Sequence, residues 1–159
     1  SFKIEGRNKE PEYVDTVVRV YRKAIDNSPS KKETEDLLEE LKKVYNKGFS
    51  TGFYNKLPTS DDFSKIENSA AKQSKQFIGK ITHYYPKLNV GLIKINSGIL
   101  ENNDEIYIIG KTTGFIKHKI KSMEINKKPV NRAKKEEDVG IKMPLCRKGD
   151  DVYKVIKKD

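Results

Sequence analysis

Cysteine is nearly absent from this sequence. Cys146 stands alone among 159 residues, which excludes an internal disulfide framework and any cysteine-only metal cage within one chain. Histidine is almost as scarce: His83 and His118 have no second His or Cys at ligand spacing, so no metal site is expected. No apolar stretch approaches the roughly 20 residues of a membrane helix, and no secretory h-region is present. A cytoplasmic protein without membrane contact is the expectation. Marks of nucleophilic or phosphate-loop chemistry are missing too. No Ser-His-Asp or Cys-His arrangement assembles from the spacing. Lys111-Thr112-Thr113-Gly114 lacks the glycine spacing and following helix of a phosphate loop and reads as a hairpin turn. Cys146 reads as a small hydrophobe rather than a nucleophile.

Positive charge is what the chain has in excess, with 33 Lys and Arg against 23 Asp and Glu. Residues 1–76 hold 15 basic and 13 acidic side chains, whereas residues 77–159 hold 18 and 10. An anionic partner would be drawn to the second half. A lysine coat that merely keeps the protein soluble explains the same surplus, and charge alone does not choose between them.

Residues 1–5 alternate Phe2 and Ile4 against Lys3 and Glu5 before Gly6, the pattern of a short strand entering a loop. Its sheet partners are not in the sequence, so the segment reads as the last strand of a larger enzyme. Pro11 suits a first helical turn, and Tyr13, Val14, Val17, Val18, Tyr21 and Ile25 recur at helical spacing until Asn27-Ser28-Pro29. Ser30-Lys31-Lys32-Glu33 is a capping box for a second helix, with Leu37, Leu38, Leu41, Val44 and Tyr45 as its buried stripe and Gly48 as its C′ residue. The two helices are expected as an antiparallel hairpin over residues 11–47. Residues 55–76 turn polar and read as a linker.

From Phe77 the period changes to that of short strands, at 77–85, 88–95, 105–109, 115–125, 138–143 and 151–156. The expected fold class is α+β: a helical hairpin (residues 1–54 with the opening strand), the linker, and a small six-stranded antiparallel β-barrel over residues 77–159. Within 115–125 the lysines at 117, 119 and 121 share one face until Met123 and Ile125 take over their parity, which predicts a bulge near Ser122.

Residues 1–26, from Ser-Phe-Lys-Ile-Glu-Gly-Arg through Asp26, and the segment Gly48–Tyr54 resemble the collagenase-like peptidase family U32. Ile4-Glu5-Gly6-Arg7 also matches a tag-cleaving protease site, but the resemblance runs continuously past it. A second resemblance covers 77–156. Asn103 to Gly110, Ile120 to Met123, Lys128-Pro129-Val130 with Ala133, Asp138 to Ile141 and Lys148-Gly149-Asp150 are similar to the second domain of elongation factor Tu. The first resemblance implies a parent that degrades collagen-like peptides or takes part in hydroxylating tRNA or ribosomal RNA. It also implies, for the hydroxylating branch, an iron–sulfur cluster held by cysteines upstream, none of which this chain contains. No cofactor is expected in the chain itself.

Glu5 and Arg7 are candidates for positioning or acid–base groups of the parent active site; an ion pair at a barrel mouth fits them equally. Lys80, Tyr84, Tyr85, Lys117, Lys119 and Lys121 are candidates for RNA contact, since lysines neutralise phosphates and tyrosines stack on unpaired bases. The expected partners are tRNA or another structured RNA and the parent catalytic domain, with a second copy able to pair through residues 1–5. The expected function is RNA binding in support of an RNA-hydroxylating parent. Recruitment of substrate to a peptidase and a structural oligomerisation role are the alternatives.

Overall fold

A computed structural model describes residues 2–57, 59 and 64–158. The chain divides into two units, Ser1–Gln73 with Lys157–Asp159 and Ser74–Ile156.

The first unit is built on two helices, α1 (Pro11–Asn27) and α2 (Lys31–Leu41). Pro11 occupies the first turn of α1, and Ser28, left-handed at φ 44°, ends the helix ahead of Pro29. The capping box forms at α2: the Ser30 Oγ accepts from the Glu33 N–H at 3.4 Å, and the Ser30 N–H donates to Glu33 Oε2 at 2.9 Å. Val20, Leu37 and Leu41 make the core of this unit, with Val17 and Ala24 packed against it. Arg19 ties the helices through Glu40 at 2.8 Å.

The buried face of α1 is rotated from the expected one. Val18, Tyr21 and Ile25 are exposed, as are Leu38 and Tyr45 beside α2, because Leu37 and Leu41 meet only the Val17, Val20 and Ala24 side. The second helix also stops at Leu41, short of residue 47. Gly48 is left-handed (φ 88°), but it follows a turn in which Asn46 Oδ1 accepts the Gly48 N–H at 3.2 Å, and does not cap the helix. Within residues 55–76, whose positions 58 and 60–63 lie outside the described residues, Ala70 and Lys72 donate backbone hydrogen bonds to Asn46 and Lys42. That stretch is therefore docked at its end. Phe2–Gly6 forms no strand, and Ser1 of the expected strand lies outside the described residues.

The second unit contains ten strands: β1 (Gln73–Tyr85), β2 (Val90–Ile95), β3 (Ile99–Glu101), β4 (Glu105–Gly110), β5 (Gly114–Lys119), β6 (Met123–Ile125), β7 (Lys128–Val130), β8 (Arg132–Lys134), β9 (Asp138–Lys142) and β10 (Asp151–Lys157). Eight form one sheet in the order β5-β4-β10-β1-β2-β9-β6-β7, and β3 pairs with β8. This corrects the expected six-stranded closed barrel. The sheet keeps two edges, β5 and β7, and Pro129, which cannot donate to a ladder, sits on the β7 edge. Strands β6 and β7, at that edge, have three residues each.

The parity change at Ser122 is likewise not a bulge. The chain leaves β4 at Lys119 and joins β7 and β9 from Met123, so the lysine parity changes because the pairing partner changes. Ile120 bridges the break: its N–H donates to Asp104 and its carbonyl accepts from Asn103, both at 2.9 Å. A bulge does occur elsewhere, between Ile81 and His83 on β1. One core of fully buried side chains, among them Ile78, Ile93, Ile106, Ile108, Val139 and Val152, packs on one face of the strands. Each such side chain contributes about 1.5–3 kcal/mol on burial.

Candidate functional site

Lys3 Nζ lies 2.9 Å from Glu5 Oε1 with both side chains exposed, a pair worth little in water. Arg7 is exposed in the turn that follows. In this unit Phe2, Ile4 and Glu5 line an open cleft of about 400 Å³ together with Tyr13, Tyr21 and Tyr45. Phe2 packs on Tyr21 with ring centroids 5.4 Å apart, and the Lys9 ammonium sits 3.4 Å from the Tyr45 ring centroid. The first is an aromatic pair and the second a cation–π contact.

In the second unit the sequence-predicted residues separate. Lys117 and Lys119 share the outer face of β5, and Lys121 follows in the β5–β6 connection. Lys117 is held by Glu105 at 3.0 Å. Lys80, on β1, is held by Asp151 at 2.6 Å, three places along the sheet from β5. Among the described residues Lys119, Lys121 and Lys142 have no carboxylate within ion-pair distance.

Tyr84 has a structural position. It packs against the core, and its hydroxyl lies 3.3 Å from both Asn89 Oδ1 and the Met143 carbonyl. Tyr85 is exposed at the β1–β2 turn with its ring 4.4 Å from that of His83. His118 points inward from β5, and its ring donates to the Lys142 carbonyl. Burial, helped by the nearby Lys121 charge, pushes its pKa below the usual imidazole value. Its Nε2 is buried without a hydrogen-bond partner.

Four aromatic residues that sequence reasoning did not connect stand together on the outer face. Register places Tyr107 of β4 opposite both Lys117 of β5 and Tyr153 of β10. Phe115 packs edge-on against Tyr107 at 4.9 Å, and Phe77 against Tyr153 at 5.6 Å. Tyr107 is 6% exposed yet lies outside the isoleucine core to which Ile106 and Ile108 belong, so the outer face covers it. The Lys75 ammonium lies 4.9 Å from the Tyr153 ring centroid. Their sequence signal was limited to parity within β4, since the four positions meet only through strand register.

Among the described residues no group of three or more His, Cys, Asp and Glu side chains could hold a metal ion, and no helix is long and apolar enough to cross a membrane. Burial, then the Asp150 charge, pushes the Cys146 thiol up to about 11, and Cys146 Sγ lies 3.7 Å from Met143 Sδ. It is a thiol at neutral pH and not a nucleophile.

Comparison with known proteins adds the family. Residues 1–63 match the model of peptidase family U32. The chain is 43% identical over 159 residues to an uncharacterized protease of Methanocaldococcus jannaschii, covering 96% of this chain and 39% of that protein. It is 34% identical over 163 residues to a protein named Collagenase from Porphyromonas gingivalis, covering 99% and 39%. A third relative, tRNA hydroxylation protein P1 of Bacillus subtilis, is 30% identical over 127 residues, covering 77% and 30%. The chain thus spans about two fifths of the length of the first two relatives.

Proposed function

From the match of residues 1–63 to the model of peptidase family U32, we propose that the Ser74–Ile156 unit binds structured RNA, tRNA first, on behalf of an RNA-hydroxylating parent. The observation that carries the reading is the charge of that unit. It holds 17 Lys and Arg against 9 Asp and Glu, while the remainder of the chain holds 16 against 14. Lys119, Lys121 and Lys142 supply cations that no carboxylate among the described residues neutralises, and these can replace the counterions of a phosphate backbone. Similarity to a tRNA hydroxylation protein over 77% of the chain supports the choice of RNA over other polyanions. Glu5 and Arg7 then serve the parent's catalytic domain as positioning groups, and Tyr85 offers a ring to an unpaired base.

The test is binding of tRNA to the 159-residue chain by fluorescence anisotropy between about 50 and 200 mM salt. The logarithm of affinity should fall linearly with that of salt, and Lys119→Ala and Lys121→Ala should each reduce the slope by about 1. Salt-independent association, or equal affinity for heparin, overturns the reading.

Recruitment of a peptide substrate to a peptidase is the second reading, favoured by the 34% identity to Collagenase over 99% of this chain. Gelatin cleavage by the full-length parent, persisting after every upstream cysteine is replaced, would establish it over RNA modification.

A further inference from the structure

Resting on the RNA reading and deepening it, we propose that the outer face of β5, β4, β10 and β1 is a stacking platform for unpaired bases, with Phe115, Tyr153 and Phe77 as its rings. The register supplies the geometry. Strands in a sheet lie about 4.8 Å apart, and the ladder sets Tyr107 beside Tyr153 in adjacent strands. Edge-on contacts at 4.9 and 5.6 Å extend the row to Phe115 on one side and Phe77 on the other. Tyr107 is the buried centre that holds its neighbours in place, while Phe77 is 36% exposed and Phe115 and Tyr153 are half-buried. These rings contribute nothing to the core on the opposite side of the sheet.

The cations around the row identify the occupant. Lys75 lies over the Tyr153 ring, Lys117 stands opposite Tyr107, and Lys119 continues the same face of β5. An apolar protein segment laid on these rings would have to desolvate the Lys75 and Lys119 ammonium groups and the Lys117–Glu105 ion pair. A single-stranded nucleic acid instead brings flat rings for the aromatics and phosphates for the lysines. An unpaired RNA segment, rather than a duplex, fits because only splayed bases can reach a ring lying on a sheet.

The experiment uses the whole 159-residue chain with two probes, an unpaired oligouridylate and an RNA duplex of the same length. Wild-type protein should bind the unpaired probe better. Phe77→Leu and Tyr153→Leu should each weaken that binding about 5- to 150-fold, the loss expected for one stacked base, without changing the salt slope. Phe77→Tyr and Tyr153→Phe, which keep the ring, should retain wild-type affinity and report on folding. Wild-type affinity in both Leu variants, with salt-dependent binding intact, overturns the platform and leaves RNA binding standing. Equal losses on both probes also overturn it. If the same substitutions abolish self-association in sedimentation and leave RNA affinity alone, the row belongs to a second copy. Absence of any RNA binding by wild-type protein removes the functional reading and the platform with it.

Discussion

Replacing Gly79 by Ala should be the most damaging glycine substitution at the β1–β2 ladder. A Cβ at position 79 would lie 1.9 Å from the Lys94 carbonyl oxygen and 3.0 Å from its carbon, with Asn96 Oδ1 at 3.2 Å. No positive φ is involved; the obstacle is neighbouring backbone, which cannot rotate aside as a side chain would. Overpacking costs about 1–3 kcal/mol, and a backbone collision puts Gly79→Ala near about 3 kcal/mol. Since 1 kcal/mol moves Tm by about 4–8 °C in a domain of 60–100 residues, the expected fall is about 12–24 °C. The same displacement would loosen the Asn96 and Ser97 N–H groups from the Ile78 carbonyl, at 2.8 and 3.0 Å, and Ser97 Oγ from the Phe77 carbonyl at 2.5 Å. Gly140→Ala is the control, because its Cβ would meet Val90 Cγ1 at 3.5 Å and the Glu124 carbonyl at 3.7 Å, both ordinary contacts. Calorimetry of the full chain decides the matter. A Gly79→Ala transition within about 4 °C of wild type, or one equal to that of Gly140→Ala, would show that the strands separate freely and refute the reasoning.

Glu39 accepts from Lys42 Nζ at 2.5 Å and Lys72 Nζ at 2.7 Å, and these contacts, Lys42 first, pull its carboxyl down to about 2. Its stabilising contribution is full above the unfolded value near 4.5 and is lost as pH falls towards about 2; NMR titration should find the midpoint rising more in Lys42→Gln than in Lys72→Gln. Cys146, buried and pushed up to about 11, should resist a thiol reagent at pH 8 in the native chain and react on unfolding; stoichiometric labelling of folded protein would contradict its placement. His118, with its pKa lowered chiefly by burial, takes up its proton less readily when folded than when unfolded, so the stability it allows is full above about pH 6.5 and erodes as pH falls below that value. His118→Gln should flatten stability between about pH 5 and pH 6.5, and an unchanged pH profile would refute the assignment.

The helices were legible because their signals are local. Pro11, the Ser30–Glu33 box and Ser28-Pro29 each act within one turn, and each sits where the spacing put it. Which side of α1 is buried was not legible. Its apolar residues spread too widely around the helix to choose a side, and the choice fell to two leucines of α2. The sheet was half legible for a similar reason. Runs of five or more residues announced themselves, but β3, β7 and β8 are three residues long, below the length at which alternation means anything. The lysine parity of β5 was visible, and its change at Ser122 was visible too, but a partner switch and a bulge leave the same mark in a sequence. Phe77, Tyr107, Phe115 and Tyr153 could not be joined at all, since only the order β5-β4-β10-β1 makes them neighbours.

Ion pairing divides the lysines of the outer face into two kinds, and the division bears on how RNA would lie there. Lys80 and Lys117 are neutralised by Asp151 and Glu105, which keeps net charge low beside the aromatic rings. Lys119 and Lys121 have no carboxylate partner among the described residues, and they lie at and just beyond the end of β5 away from Phe115. Four residue steps along the strand take Phe115 to Lys119, about 13 Å at about 3.3 Å per step. A strand of RNA whose base stacks near Phe115 would therefore run its phosphates towards Lys119 and Lys121, with stacking and charge neutralisation carried by opposite ends of one element. Exposed ion pairs are worth about 0–1 kcal/mol, so Lys117 can exchange Glu105 for a phosphate at little cost. Glu105→Gln should consequently steepen the salt dependence of RNA binding by about 1 in slope while leaving the loss caused by Phe115→Leu unchanged. If instead the two substitutions prove coupled, charge and stacking act at a single point, and the division of β5 into two ends is wrong.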